Sequence, residues 1–249
     1  MAQNAVPTGN PDVPPDAVAS VLNDAIFNLW NVVERITSLP RARHSRYTVT
    51  IFGSARLKAE HPLYEEVRWL AEQLTIAGCD IVTGGGPGLM EAANAGAVAA
   101  DPENRGRSVG VRVELPFEQG ANPYIEELYE HQNFFSRLHH FVMASDAFVV
   151  MPGGIGTTLE AMMVWQLLQV KKLPAMPLIF VGGMWQEFQA WALQSMCGSE
   201  PHLAAPGDLR IPHFVSTVAE VLPLLQPEMA CWLDSDLCLR PAVEPDVAS

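Results

Sequence analysis

The chain has 249 residues, 49% of them hydrophobic, enough to bury one substantial core and with no compositional call for a second domain. With 15 Lys and Arg against 28 Asp and Glu, the formal net charge of -13 excludes the broad basic face that nucleic acid or an anionic membrane requires. Any anion site must therefore be local. The cysteines Cys79, Cys197, Cys231 and Cys238 form no CxxC pair and match no zinc spacing, so they read as reduced thiols of a cytoplasmic protein with no metal. No basic leader with an apolar run opens the chain, and no stretch approaches the roughly 18 apolar residues of a membrane span.

In chain order, residues 1–15 are proline-rich, lack apolar periodicity and read as a disordered tail. From Asp16 as N-cap, Val18, Val21, Leu22, Ala25, Ile26, Leu29, Val32, Val33 and Ile36 recur at helical spacing, which predicts an amphipathic helix over 16–39. It packs either on its own domain or on a second copy. From about residue 40 to 225, short β-branched runs alternate with longer helical stretches. That alternation predicts an α/β fold, a doubly wound Rossmann-like parallel sheet with helices on both faces. The strands fall at Tyr47–Phe52, Asp80–Thr83, Ser108–Leu115, Ala147–Met151 and Pro177–Val181. Helices fall near 62–77, 88–100, 133–145 and 156–170, with another after Gly183 and a last one over Val215–Leu225. Residues 226–249 read as a tail.

Three loops leave strand ends with small residues: Gly53-Ser54-Ala55-Arg56, Gly84-Gly85-Gly86-Pro87-Gly88, and Pro152-Gly153-Gly154-Ile155-Gly156-Thr157. Each feeds a helix whose first N–H groups lack intrahelical partners, and such N-termini bind phosphate through those amides and their partial positive charge. Ligands of open α/β sheets sit at this end of the strands. No lysine follows either glycine cluster as a P-loop requires, and both lack the third glycine of the dinucleotide fingerprint. Glu114 stands where a ribose-binding acid would follow a strand. The lysines Lys58, Lys171 and Lys172 all lie in polar stretches, which argues against a buried Schiff-base lysine, and no cofactor is expected.

The stretches GSAR, TGGGPGLMEAANAGA, SVGVRVELPFEQGANPY, NFFSR and MPGGIGTTLE closely resemble the LONELY GUY family over residues 47–225. Members often carry a lysine-decarboxylase label. Those characterised are nucleoside 5′-monophosphate phosphoribohydrolases, among them the cytokinin-activating enzymes.

The resemblance implies a catalytic pair: Arg137 of NFFSR matches the family's arginine, and Glu160, closing PGGIGTTLE, matches its glutamate. A carboxylate near the anomeric carbon stabilises an oxocarbenium-like transition state and orients water. An arginine fork holds phosphate or ribose oxygens. Glu160 is expected on the first turn of its helix, where an acid also complements the helix dipole. Arg112, Glu118, Gln119 and Asn122 are candidate ribose or base contacts. Two departures stand out: Leu138 follows Arg137 where the family commonly has lysine, and Arg112 replaces an Asn. The adjacent His139 and His140 face different directions on a helix and read as core or surface residues.

What the resemblance implies is hydrolysis of AMP or an N6-prenylated AMP to free base and ribose 5-phosphate by a homodimer or higher homo-oligomer. A non-catalytic nucleotide or molybdenum-cofactor carrier is the alternative.

Overall fold

The computed structural model describes residues 45–113 and 120–233, together with Val21 and Asp24, both helical. The chain divides into two units, Met1–Arg43 and His44–Ser249. The expected tail 1–15, most of the helix over 16–39, Glu114, Glu118, Gln119 and residues 234–249 lie outside the described residues.

Seven strands form one sheet in the order β4-β3-β2-β1-β5-β6-β7. They are β1 (Thr48–Phe52), β2 (Asp80–Thr83), β3 (Ser108–Val113), β4 (Glu127–His131), β5 (Ala147–Val150), β6 (Leu178–Val181) and β7 (His213–Val215). All six pairings are parallel. The helices are α1 (Pro62–Ile76), α2 (Leu89–Ala100), α3 (Phe134–Ala144), α4 (Ile155–Gln169), α5 (Gly183–Ala192) and α6 (Val221–Leu233).

Strand alternation builds two cores. Val49, Ile51, Ile81 and Val149 face one side with Leu70, Leu74, Ala92, Ala93, Leu225 and Met229, so α1, α2 and α6 cover that face. Phe52, Val82, Phe148, Val150 and Phe180 face the other with Phe141, Val164, Trp165 and Trp185, so α3, α4 and α5 cover it. This sandwich is the doubly wound arrangement expected. The chain lays β1 to β4 outward in one direction and then returns to set β5 on the other side of β1. The loops after β1 and β5 therefore meet at the topological switch point.

Two strands go beyond the sequence expectation, and both are sheet edges. In β4 the residues Leu128, Tyr129 and Glu130 are exposed, and β7 is only three residues long. Neither shows a β-branched buried run. The last helix also differs from the expected Val215–Leu225: Val215 ends β7, a capping box of Thr217 and Glu220 opens a 3-10 turn, and α6 runs on to Leu233 through Pro227. Met229, buried beyond that proline, continues the apolar stripe into the core, and its packing outweighs the lost helix hydrogen bond. Cys79 and Cys197 are free. Cys231 is disulfide-bonded, which corrects the expectation of four reduced thiols.

Candidate functional site

Helix capping differs among the helices that begin at the carboxyl edge of the sheet. In α1 the N-cap His61 accepts from Leu63 N–H, and in α3 the N-cap Asn133 accepts from Ser136 N–H through its side chain. The N-caps of α2, α4 and α5 are Gly88, Gly154 and Gly182, and none has a side-chain cap. Of these, α2 and α4 begin after β2 and β5, the strands that flank the central β1.

The three small-residue loops are stitched together there. Ser54 N–H donates to Pro152 O at 3.1 Å, and Ser54 O accepts from Leu89 N–H at 2.9 Å. Ser54 thus braces the loop after β1 against the other two, and it also uses the first amide of α2. The outward-pointing amides expected of every loop are therefore best provided by α4, whose Ile155 (88% exposed) and Gly156 lie open to solvent. Thr157 is buried, packed where a side chain at Gly153 would collide with it.

The glycines are required by close approach and by backbone conformation. A Cβ on Gly53 would lie 2.9 Å from Leu89 Cβ. One on Gly84 would lie 2.5 Å from Arg137 Nη2 and 2.7 Å from Met90 Sδ. Gly88 has φ +72 and ψ -131, and its Cβ would lie 2.5 Å from Ser54 O.

Arg137 and Glu160 come together at this end of the α3/α4 layer. Arg137 Nη1 lies 2.8 Å from Glu160 Oε1, with both side chains about nine-tenths buried. Arg137 Nε donates to Val111 O at 2.8 Å, and its guanidinium carbon sits 5.1 Å from the centre of the Phe141 ring. The guanidinium is thereby anchored to β3 on one side and presented to the glycine loop on the other. Glu160 is the sixth residue of α4, in its second turn, and the first turn contains no acidic residue. That corrects the expected first-turn position and removes simple dipole complementation as an account of this buried carboxylate.

The other candidates separate. Arg112 lies over Gly85, its Cγ 2.8 Å from where a Gly85 Cβ would stand, beside Ile125. Asn122 is buried, with Nδ2 donating to Gly86 O at 3.1 Å and to Asn94 Oδ1 at 3.0 Å, and Oδ1 accepting from Tyr124 N–H. Both side-chain N–H groups are thus given to the loop and to Asn94. Leu138 is buried. His140 pairs with His131: Nδ1 lies 2.9 Å from His131 Nε2, and His131 Nδ1 lies 3.0 Å from Ser136 Oγ. Burial holds both imidazoles below the usual histidine range, assisted at His131 by the Arg137 charge and at His140 by its histidine neighbours.

Sequence reasoning missed Met90, Asn94 and His131. Asn94 carried a usable signal, being an amide amid the small apolar residues of LMEAANAGAVAA. Among the described residues, no three His, Cys, Asp or Glu side chains gather as a metal site, and no helix is long and apolar enough to cross a membrane.

Known proteins share this architecture. The pyrimidine/purine nucleotide 5′-monophosphate nucleosidase of Escherichia coli K12 is 29% identical over 168 residues, 64% of this chain and 37% of that protein. The chain thus spans little more than a third of that relative. Among solved structures, an X-ray structure of a structural-genomics target superposes with a TM-score of 0.55 at 22% identity, covering 73% of this chain and 99% of the other. The molybdenum cofactor binding protein of Rippkaea orientalis superposes with a TM-score of 0.55 at 17% identity, covering 75% and 99%. The family described as "Possible lysine decarboxylase" matches residues 90–225, more than half of the chain, from the start of α2 to the start of α6. The chain belongs to that family, the one its LONELY GUY motifs indicated.

Proposed function

We propose that this protein hydrolyses the N-glycosidic bond of a purine nucleoside 5′-monophosphate, AMP or an N6-prenylated AMP, and releases the free base and ribose 5-phosphate. The observation that carries the reading is the buried Arg137–Glu160 pair beside an uncapped, glycine-lined helix N-terminus. A 5′-phosphate accepts from the α4 amides, and one ribose length away the carboxylate of Glu160 faces the anomeric carbon. The C1′–N bond breaks with its electron pair leaving on the base, which takes up a proton from solvent, and Glu160 later returns to solvent the proton it takes from the attacking water. Water oxygen joins C1′, and the water's proton passes to Glu160. Arg137 orients that carboxylate and holds a phosphate or ribose oxygen through its remaining N–H groups. The name of the Escherichia coli relative supports the nucleotide class of the substrate.

A lysine-dependent decarboxylation has no support in the residues. Lys58, Lys171 and Lys172 are all exposed, so none is desolvated as a Schiff-base lysine would be. The second reading, a carrier that holds a nucleotide-like ligand without turnover, is favoured by one observation: Arg137 already occupies a Glu160 oxygen. The Rippkaea orientalis neighbour's name fits such a ligand, though that likeness carries fold alone. A cytoplasmic homodimer is part of the proposal, because Ile155, Leu159, Phe134 and Phe135 leave apolar surface exposed on α3 and α4 beside the pocket.

Chromatographic detection of free base after incubation with AMP, N6-isopentenyl-AMP, GMP and CMP tests the reading. Release from a purine substrate that disappears in Glu160→Ala and Arg137→Ala supports it, whereas ligand binding with no release overturns it in favour of the carrier.

A further inference from the structure

Beneath the glycine loop after β2 lies a polar cluster that takes no part in the proposed chemistry. Its centre is Asn94, fully buried in α2. Its Oδ1 accepts from Thr83 Oγ1 at 2.6 Å and from Asn122 Nδ2 at 3.0 Å, and its Nδ2 donates to Ser108 Oγ at 2.9 Å and to Val109 O at 3.4 Å. Two acceptances and two donations fill the capacity of a carboxamide.

The bonds continue into the loop. Thr83 Oγ1, its proton given to Asn94, accepts from Gly85 N–H at 3.0 Å. Asn122 donates from its backbone N–H to Gly85 O and from its side chain to Gly86 O, each at 3.1 Å. Both backbone polar groups of Gly85 and the carbonyl of Gly86 are therefore each linked to Asn94 through one residue, Thr83 or Asn122. Since a trans peptide sets N–H opposite the preceding C=O, tying Gly85 O inward turns Gly86 N–H away from the cluster. Gly85 meanwhile stays at φ +72. The same loop carries Gly84, against which Arg137 Nη2 is set.

We propose that Asn94 is a positioning residue for nucleotide binding: from inside α2 it fixes, through Thr83 and Asn122, the shape of the loop Gly84–Gly86 and with it the placement of Arg137 against the substrate's phosphoribosyl group. This rests on the nucleotide reading above. Ser108 separates this role from simple core stability. Its hydroxyl receives Asn94 and donates to Tyr124 O at 2.8 Å but touches neither Gly85 nor Gly86. Removing it costs buried hydrogen bonds without releasing the loop.

The test compares Asn94→Ala, Thr83→Val and Ser108→Ala in the full chain. It measures KM and kcat for AMP, the Kd for ribose 5-phosphate by calorimetry, and Tm. Thr83→Val keeps the shape of the residue while removing the acceptor of Gly85 N–H, and it serves should Asn94→Ala fail to fold. The expected result is a rise of roughly tenfold or more in KM and in the ribose 5-phosphate Kd for Asn94→Ala and Thr83→Val, with kcat changed less. Ser108→Ala lowers Tm and leaves both constants near wild type. Equal constants in all three variants, with differences confined to Tm, would overturn the proposal. A wild type that binds ribose 5-phosphate but does not cleave AMP sinks the hydrolase reading while the Kd comparison still decides on Asn94; a wild type that does neither overturns both.

Discussion

Arg137 and Glu160 belong to different helices, α3 and α4, yet their side chains meet at 2.8 Å with about a tenth of each exposed. A pair so nearly buried is costly to desolvate, and its arginine spends a further N–H on Val111 O. Such a pair is weak evidence of stability, and under the proposed function it is the prepared site. Replacing Glu160 with Gln keeps the volume and a hydrogen bond but removes the charge, so base release from AMP should fall by roughly 10²–10⁴-fold with little change in fold. Arg137→Lys keeps the charge but cannot reach Val111 O and Glu160 together as a planar fork does, and should lose about as much. Steady-state kinetics on both variants, with circular dichroism as the control, checks this; near-wild-type rates would contradict it.

Two glycines of one loop should respond differently to alanine. At Gly88 the new methyl meets backbone, Ser54 O at 2.5 Å, from a left-handed φ, so Gly88→Ala should cost about 1–3 kcal/mol of stability in urea unfolding. At Gly84 it meets side-chain ends, Arg137 Nη2 and Met90 Sδ, rather than backbone, so the Arg137 contacts give way before the fold does. Gly84→Ala should therefore lose activity while keeping most of its stability. The reverse order of stability losses would show that the loop is held otherwise.

How much of this was legible follows from the kind of signal each part carries. The strands Asp80–Thr83 and Thr48–Phe52 are buried on both faces and read directly as apolar β-branched runs. The edge strand ELYEH exposes Leu128, Tyr129 and Glu130 in succession, and its strand character comes from pairing with β3, which no local pattern states. The glycine loops were visible because their composition is unusual. Pairing of Arg137 with Glu160 was reached only through family resemblance, since the two lie in separate helices with β5 between them. The hydrogen bonds of Asn122 to Gly85 and Gly86 were not legible, because a polar residue in a loop looks the same in sequence whether it faces ligand or backbone.

The histidine pair makes stability depend on pH. Both His131 and His140 are held below their ordinary value by burial, so the folded state favours neutral imidazole more than the unfolded chain does. Their contribution is complete above the unfolded value of about 6.5 and is lost as pH falls from there through the lower folded values. Urea denaturation between pH 7.5 and pH 5 (about the range in which histidine titrates) should show wild-type stability falling more steeply than that of His140→Gln. Parallel curves would contradict the assignment.

Ile155 and Leu159 stand one helical turn apart on α4, exposed by 88% and 47% beside the pocket. If a second copy covers them, Ile155→Asp should shift the protein toward monomer in size-exclusion chromatography with light scattering and raise KM. An unchanged mass in the variant would place any interface elsewhere.

The most direct test of the account is the fate of AMP in water enriched in ¹⁸O, followed by mass spectrometry of the sugar product. The account predicts free adenine together with ribose 5-phosphate carrying one ¹⁸O at C1, formed by wild type and lost in Glu160→Gln. AMP bound by the folded protein and recovered intact would contradict it.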